Sequence, residues 1–361
     1  MYFNRELVDC LSKGAQVLGG GGGGREQRGL KTAEEALAAG QVRLASLEEM
    51  SPSDLVVTVS GVGAPSQSQA MYTARHYLRA LELLEQRLDR PIAGFIPSEM
   101  GGSAAFGPFL AAAVKGVPVV NAACDGRAHP LGTMGGLGLD KDPNCQTLQA
   151  ACGGRQEEGT YIELVTCGTV RSASRASRLA AELAGGLAAV VRNPVSAEYL
   201  QKNAAVGCYT MAIDLGRALL AENTVQGKAD AAARVLGGEV LCRGEVTDYR
   251  LFTAGGLDHG SCTLSAGGEE YRLYFYNEYM AVQRGEERLA TFPDLIATLD
   301  GVTGESVLTA DLAVGRPVIL VRATHKRLIL GAGLRQRKDY EGIEDLLGIS
   351  MTPFLQDLLE A

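Results

Sequence analysis

Leu55-Val56-Val57-Thr58-Val59-Ser60, closed by Gly61-Val62-Gly63-Ala64-Pro65, is the stretch on which the fold of this chain turns. A nearly continuous β-branched run, rather than an alternation of apolar with polar residues, predicts a strand covered on both faces, as in a parallel sheet. An amphipathic helix of about Gln67 to Leu88 follows, and then a second strand, Ile92 to Ile96, ending in Pro97-Ser98-Glu99-Met100-Gly101-Gly102-Ser103. A helix of about Ala104 to Val114 leads to a third strand, Val117 to Val120. That strand opens into Asn121-Ala122-Ala123-Cys124-Asp125-Gly126-Arg127-Ala128-His129-Pro130. Strand alternating with helix is the βαβ signature of a parallel sheet between helical layers.

Downstream, strands at Thr160 to Thr166 and Leu187 to Val191 flank a helix near Ser174 to Leu183, and a helix carrying Met211, Leu215, Leu219 and Leu220 leads to Gly237-Gly238. From Glu239 the texture changes to short β-rich runs: Val240 to Val246, Ser261 to Leu264, Tyr271 to Tyr276, Leu289 to Phe292 and Val318 to Val321. The expected organisation is a three-layer α/β/α domain with a mostly parallel sheet over 1–236, a β-barrel-like domain over 237–340, and a C-terminal helix in 341–361, Ile343 to Leu359.

Upstream, six glycines, Gly19 to Gly24, precede Arg25. Phosphate-binding glycine loops lie between a strand and a helix N-terminus. Here the preceding segment, Asn4 to Leu18, has helical spacing at Leu7, Leu11, Ala15 and Leu18 with Asn4 as N-cap, and no Lys-Ser or Lys-Thr closes the run. Neither a dinucleotide nor a Walker reading is supported. Thr32-x-x-Glu35 reads as a capping box for a short helix to Ala39.

With 34 basic and 42 acidic residues among 361, the net charge of -8 disfavours nucleic-acid or anionic-membrane binding. No signal pattern and no apolar run of about twenty residues is present, so a cytoplasmic location is expected. The eight cysteines form no Cys-x-x-Cys pair and fit neither a zinc knuckle nor a disulfide scaffold.

Ligands of open parallel sheets bind outside the carboxyl ends of the strands. Three strand ends therefore bring Glu99, Asn121, Cys124, Asp125, Arg127 and His129 toward one crevice. Glu99, just before Gly101-Gly102, is a candidate general base if burial raises its pKa, or else a partner of the next helix N-terminus. Cys124 beside Arg127, with His129 as proton carrier, is a candidate nucleophile or else a buried thiol. Asp125 and Arg127 otherwise form a loop ion pair. His76 reads as a helix-face residue, and His259 as a turn residue of Gly255 to Gly260. In Phe275-Tyr276-Asn277-Glu278-Tyr279, Asn277 and Glu278 interrupt an aromatic strand; facing inward they need partners, and facing outward they are ordinary alternation. The sequence requires no cofactor and leaves a divalent metal open, since Cys124, Asp125 and His129 match no closed zinc spacing.

The chain resembles the S-methyl-thiohydantoin desulfurase-like family, often found with hydantoinase and oxoprolinase proteins. The resemblance is carried by Gly14-Ala15-Gln16-Val17-Leu18-Gly19 with the glycine run, Gly63-Ala64-Pro65, Pro97 to Gly102 and Asp125 to Pro130. It continues in Asp214-Leu215-Gly216-Arg217-Ala218, Gly255-Gly256, Asn277-Glu278, Pro293-Asp294-Leu295 and Asp300 to Glu305. It implies an α/β domain followed by a β-barrel, and hydrolysis of the C–S bond of an S-methylated thiohydantoin. Glu99 would be the base, assisted by Asp125, Cys124 and His129. Gly21, Gly22, Gly23, Gly24, Arg25, Gly101, Gly102, Asn121, Arg127, Asn277 and Glu278 would contact a small-molecule substrate. Asn121, Ala123 and Leu131 stand where many relatives carry acidic residues. That departure keeps open a second reading, a non-catalytic binding or regulatory subunit working with a hydantoinase-type partner. A homo-oligomer is the ordinary expectation.

Overall fold

The structure, a computed structural model, describes residues 1–63 and 73–359. Ala64, Pro65 and the start of the helix expected from Gln67 lie outside the described residues. Helix α1 (Arg5–Leu18) is N-capped by Asn4, whose side-chain oxygen accepts the Leu7 N–H at 2.9 Å. After the glycine run comes α2 (Glu26–Ala39). The box expected at Thr32 is not formed, because Thr32 lies inside this helix and donates its hydroxyl back to the Arg28 carbonyl at 3.1 Å.

The N-terminal sheet is built from β1 (Leu44–Ala45), β2 (Leu55–Gly63), β3 (Ile92–Pro97) and β4 (Val119–Val120), with α3 (Ala74–Glu85) and α4 (Phe109–Lys115) between strands. It continues past β5 (Ala122–Ala123) with β6 (Thr147–Gly153), β7 (Ile162–Gly168), α5 (Val170–Leu183) and β8 (Leu187–Ser196). The order is β1-β4-β3-β2-β8-β6-β7. The first four strands pair in parallel, and β8, β6 and β7 are added antiparallel. The run that announced the fold is indeed covered on both faces. Val57 and Val59 join the core of Tyr77, Leu81 and Leu84 of α3, while Val56 faces Ile96, Val120 and Leu200 on the other side.

Helix α6 (Ala197–Asn203) and β9 (Ala205–Val206), which pairs with β5, lead to α7 (Cys208–Leu220) and α8 (Val225–Leu236). Helix α7 crosses α1 backbone to backbone. A Cβ on Gly14 would stand 1.8 Å from the Ala212 carbonyl oxygen, and one on Gly216 would stand 1.7 Å from that of Cys10. Both glycines belong to the motifs quoted above.

The C-terminal region holds β10 (Glu239–Ala254), β11 (Leu257–Ala266), β12 (Glu269–Tyr276), β13 (Glu278–Arg284), β14 (Glu287–Thr291), β15 (Leu295–Asp300), β16 (Ser306–Val307) and β17 (Pro317–Ala323). These make one antiparallel sheet, β14-β13-β12-β11-β10-β17-β15-β16. The barrel expected here is not closed: among the described residues β14 and β16 remain the edges of an open sheet. The terminal helix also falls earlier than expected. Helix α9 (Arg337–Leu347) stops at Gly348, whose φ of +65° is the left-handed C-cap, and only a short turn at Thr352–Phe354 follows. No helix among the described residues is long and apolar enough to cross a membrane.

The glycine run stitches the two sheets together. The Tyr279 N–H of β13 donates to the Gly20 carbonyl at 2.8 Å, and the Thr309 N–H donates to that of Gly21 at 2.8 Å. On the other side the Gly23 carbonyl accepts the N–H groups of Ser103 and Ala104 at 3.1 and 3.2 Å. A Cβ on Gly23 would lie 2.5 Å from the Gly101 Cα, so side chains are excluded where the two backbones touch.

Candidate active site

Between the strand ends of the N-terminal sheet and the β12–β13 corner of the C-terminal sheet lies a cleft of about 90 Å³. A water needs roughly 10–15 Å³ on this measure, so the cleft suits a small ring. Gly23, Gly24, Glu99, His129, Arg192 and Glu278 are among the residues that line it, with Glu278 set against the glycine run.

Glu99 is placed by a continuation of the parallel pairing beyond β3. The Asp125 N–H donates to the Ser98 carbonyl at 3.0 Å and the Met100 N–H to that of Asp125 at 3.1 Å. Its carboxylate accepts the His129 N–H at 3.2 Å, and one oxygen stands 3.5 Å from His129 Nε2. It does not cap the next helix. Burial pushes the Glu99 carboxyl up to about 7, against the pull of the His129 N–H and of Arg192. Burial, with Arg192 nearby, holds the His129 imidazole down at about 3, and so neutral.

The inward reading of Asn277 and Glu278 is the one the structure takes; both are buried. Asn277 stands at φ +57°, where its side-chain oxygen accepts the Asp258 N–H at 2.8 Å. Glu278 accepts the Gly23 N–H at 3.3 Å on one oxygen and leaves the other without a hydrogen bond. Burial and the neighbouring Glu99 push its carboxyl well above the usual carboxylate range. A Cβ on Gly22 would fall 1.9 Å from that carboxylate, which accounts for glycine there.

Most of the other expected residues lie behind or away from the cleft. Gly21 and Gly22 back onto the C-terminal sheet, Gly101 packs on Gly23, and Gly102 faces Gln16. Arg25 lines the mouth and is held by Asp311 through two hydrogen bonds of 2.6 and 2.9 Å. Asp125 is buried beneath Glu99 and accepts the Gly331 N–H at 3.1 Å; burial raises its pKa well above the ordinary value. Arg127, also fully buried, donates to the carbonyls of Ala128, Pro293 and Asp294 and stacks 4.4 Å from the Phe292 ring. Asp125 and Arg127 thus take separate partners instead of the loop ion pair. Asn121 caps α7, accepting the N–H groups of Tyr209 and Thr210 at 3.1 and 3.3 Å. Cys124 is fully buried 3.3 Å from the Thr58 hydroxyl, and burial pushes its thiol up to about 12, which disfavours a thiolate. His259 lies in β11, stacked on Phe252, and not in the turn. His76 closes the α3 N-terminus by accepting the Thr73 N–H at 2.9 Å. Among the described residues no group of three or more His, Cys, Asp or Glu is disposed to hold a metal ion.

Arg192, Arg178 and Arg28 are charged cleft residues that the sequence reading misses. Arg192 follows directly on the run Leu187 to Val191, and a charged residue extending a buried strand is the signal that was available. Arg178 bridges the Gly256 and Pro130 carbonyls at 3.1 Å each, tying the β10–β11 tip to the cleft rim.

The S-Me-THD-like N-terminal domain model matches residues 6–155, and the S-Me-THD-like C-terminal domain model matches residues 169–335. No curated protein matches the chain at a significant level. A crystal structure of a protein from Chromobacterium violaceum, determined by a structural genomics consortium, is similar in fold. It has a TM-score of 0.71 and 23% identity over 96% of each chain.

Proposed function

The chain belongs to the S-methyl-thiohydantoin desulfurase-like family, and from that premise we propose that its cleft hydrolyses the C–S bond of an S-methylated thiohydantoin. The observation that carries this reading is Glu99, an acid with a pKa near 7 facing a ring-sized cleft beside a neutral His129 and a second buried carboxyl, Glu278. A carboxyl near neutrality can both accept and return a proton at working pH.

In this scheme a water oxygen bonds to the ring carbon that carries sulfur, and Glu99 takes the water's proton. Glu278, held protonated by burial and by Glu99, donates a hydrogen bond to the adjacent ring nitrogen as negative charge collects there. The tetrahedral carbon then expels sulfur, and the proton held by Glu99 passes to it. Ring and water become hydantoin and methanethiol, with no oxidant or reductant required. His129 stays neutral and fixes Glu99 through its backbone N–H.

The test is thiol release from S-methyl-thiohydantoin by the purified protein. Release of thiol with stoichiometric hydantoin supports the proposal, and binding without release transfers the chain to the non-catalytic reading that Asn121, Ala123 and Leu131 kept open.

A further inference from the structure

Arg192 is buried to 3% exposure and lines the cleft, yet among the described residues its side chain has no hydrogen bond and no ion pair within 4.0 Å. Arg127, buried as deeply, has three carbonyl acceptors and leaves only Nη2 unpaired. The Arg192 Nε is fully buried without an acceptor, a costly arrangement, and the terminal nitrogens of Arg192 are left to whatever occupies the cleft.

The backbone is arranged to put it there. Strand β8 carries an extra residue opposite β2, since Thr58 pairs with Arg192 and Val56 with Val195. Asn193, at the bulge, takes φ +54° and is held by Thr147 at 3.1 Å, Gln149 at 3.3 Å and the Gly135 carbonyl at 3.4 Å. A bulge pinned on three sides re-aims the preceding side chain. The groups facing Arg192 do not neutralise it. Glu99 lies beyond ion-pair distance and acts on it only from there, Cys124 stays a thiol, and His129 is neutral. Gly132 and Gly135 flank the guanidinium without side chains; a Cβ on either would lie 3.3 or 3.1 Å from its terminal nitrogens.

We propose that Arg192 is the anion-receiving subsite of the cleft and that the ligand reaches it as a planar anion, O–C–O or N–C–O, which a guanidinium grips with two parallel hydrogen bonds. This deepens the reading of the preceding subsection by naming the charge of the substrate. Two parts of a hydantoin-type ligand carry that chemistry, a carboxylate on the ring substituent and the deprotonated ring imide.

The experiment is calorimetric titration of wild-type protein, Arg192→Gln and Arg192→Lys with hydantoin-5-acetate, its neutral amide, the N3-methylated amide and ring-free glutarate. If a pendant carboxylate is the anion, wild type binds hydantoin-5-acetate about tenfold or more tighter than the amide, and Arg192→Gln removes that preference. If the ring imide is the anion, acetate and amide bind alike, tightening as pH rises, and the N3-methylated amide loses that gain. Glutarate binding that depends on Arg192 sustains the subsite even where no thiohydantoin is turned over, so the two proposals fail separately. Arg192→Lys restores part of the charge preference but not the bidentate grip. Should wild type show no preference for any charged probe over its neutral counterpart, a comparison that needs no variant to fold, the subsite is refuted.

Discussion

Glu99 and Asp294 both stand at a strand end and both face a histidine, but the two pairs distribute their protons in opposite ways. At Asp294 burial would raise the carboxyl, and the His325 side-chain and backbone N–H, at 2.9 and 2.7 Å, outweigh it and hold it below the usual range. The Asp294 hydrogen bond holds the His325 imidazole above its ordinary value, and Asp357 at 3.4 Å adds to this. At Glu99 the separation is 3.5 Å, the pair is buried, and Arg192 already supplies positive charge. The carboxyl rises to about 7 and the imidazole falls to about 3. A carboxyl and an imidazole make an ion pair near solvent at Asp294 and a neutral acid–imidazole pair in the cleft at Glu99. Burial and a third charge decide which.

The comparison breaks most visibly in turnover. Glu99→Gln should lower thiol release by about 10²-fold or more, whereas Asp294→Asn should leave the chemical step near wild type in whatever fraction stays folded. Unimpaired turnover in Glu99→Gln would remove Glu99 from the mechanism. In wild type, kcat should rise with pH through about 7, as Glu99 loses its proton.

Stability should change in opposite directions. A carboxyl whose pKa is raised on folding withdraws stability as pH climbs from its unfolded value of 4.5 to its folded value of about 7, and no further above that. Glu99→Gln should therefore gain on wild type through that window, by on the order of 2 kcal/mol at pH 8, read as a higher midpoint in urea unfolding. His325→Ala should lose about 1–2 kcal/mol. The part that comes from the raised His325 pKa is fully present below the ordinary histidine value of 6.5 and is lost as pH rises through the folded value. The part from lowered Asp294 is present above 3.8 and lost as pH falls further. The smallest effect is expected at Cys124: iodoacetamide at neutral pH should modify exposed Cys167 and leave Cys124 untouched in native protein.

The strand Leu55 to Ser60 and its βαβ neighbours were legible because a run apolar on both faces admits few other readings. The antiparallel addition of β8, β6 and β7 was not, since pairing direction follows from tertiary contact and leaves no local period in the sequence. Strands β13 and β15 were hidden for a similar reason. Asn277 and Glu278 interrupt the apolar pattern where β13 begins, and Pro293-Asp294 ahead of β15 has the composition of a turn. Within the site, Glu99, His129, Asn277 and Glu278 could be named from polar residues at strand ends. Arg192 could not be oriented, because its aim depends on the bulge at Asn193. Cys124 and Asn121 were adjacent in sequence to the right residues but point into the core and onto α7.

The stitching of the glycine run also bears on the order in which the molecule can be assembled. Gly21 accepts from the hydroxyl of Thr309 across a separation of 288 residues, so the glycine run that backs the cleft finds this partner only after those residues have been made. Contacts so distant in sequence close late and slowly, after the loop entropy between them has been met. A nascent or truncated chain ending before β13 would lack the Tyr279 and Thr309 donors of Gly20 and Gly21 and the Glu278 acceptor of Gly23, leaving residues 19–24 held only from the side of the N-terminal sheet. Activity should then appear as a late step in refolding, after most secondary structure has returned.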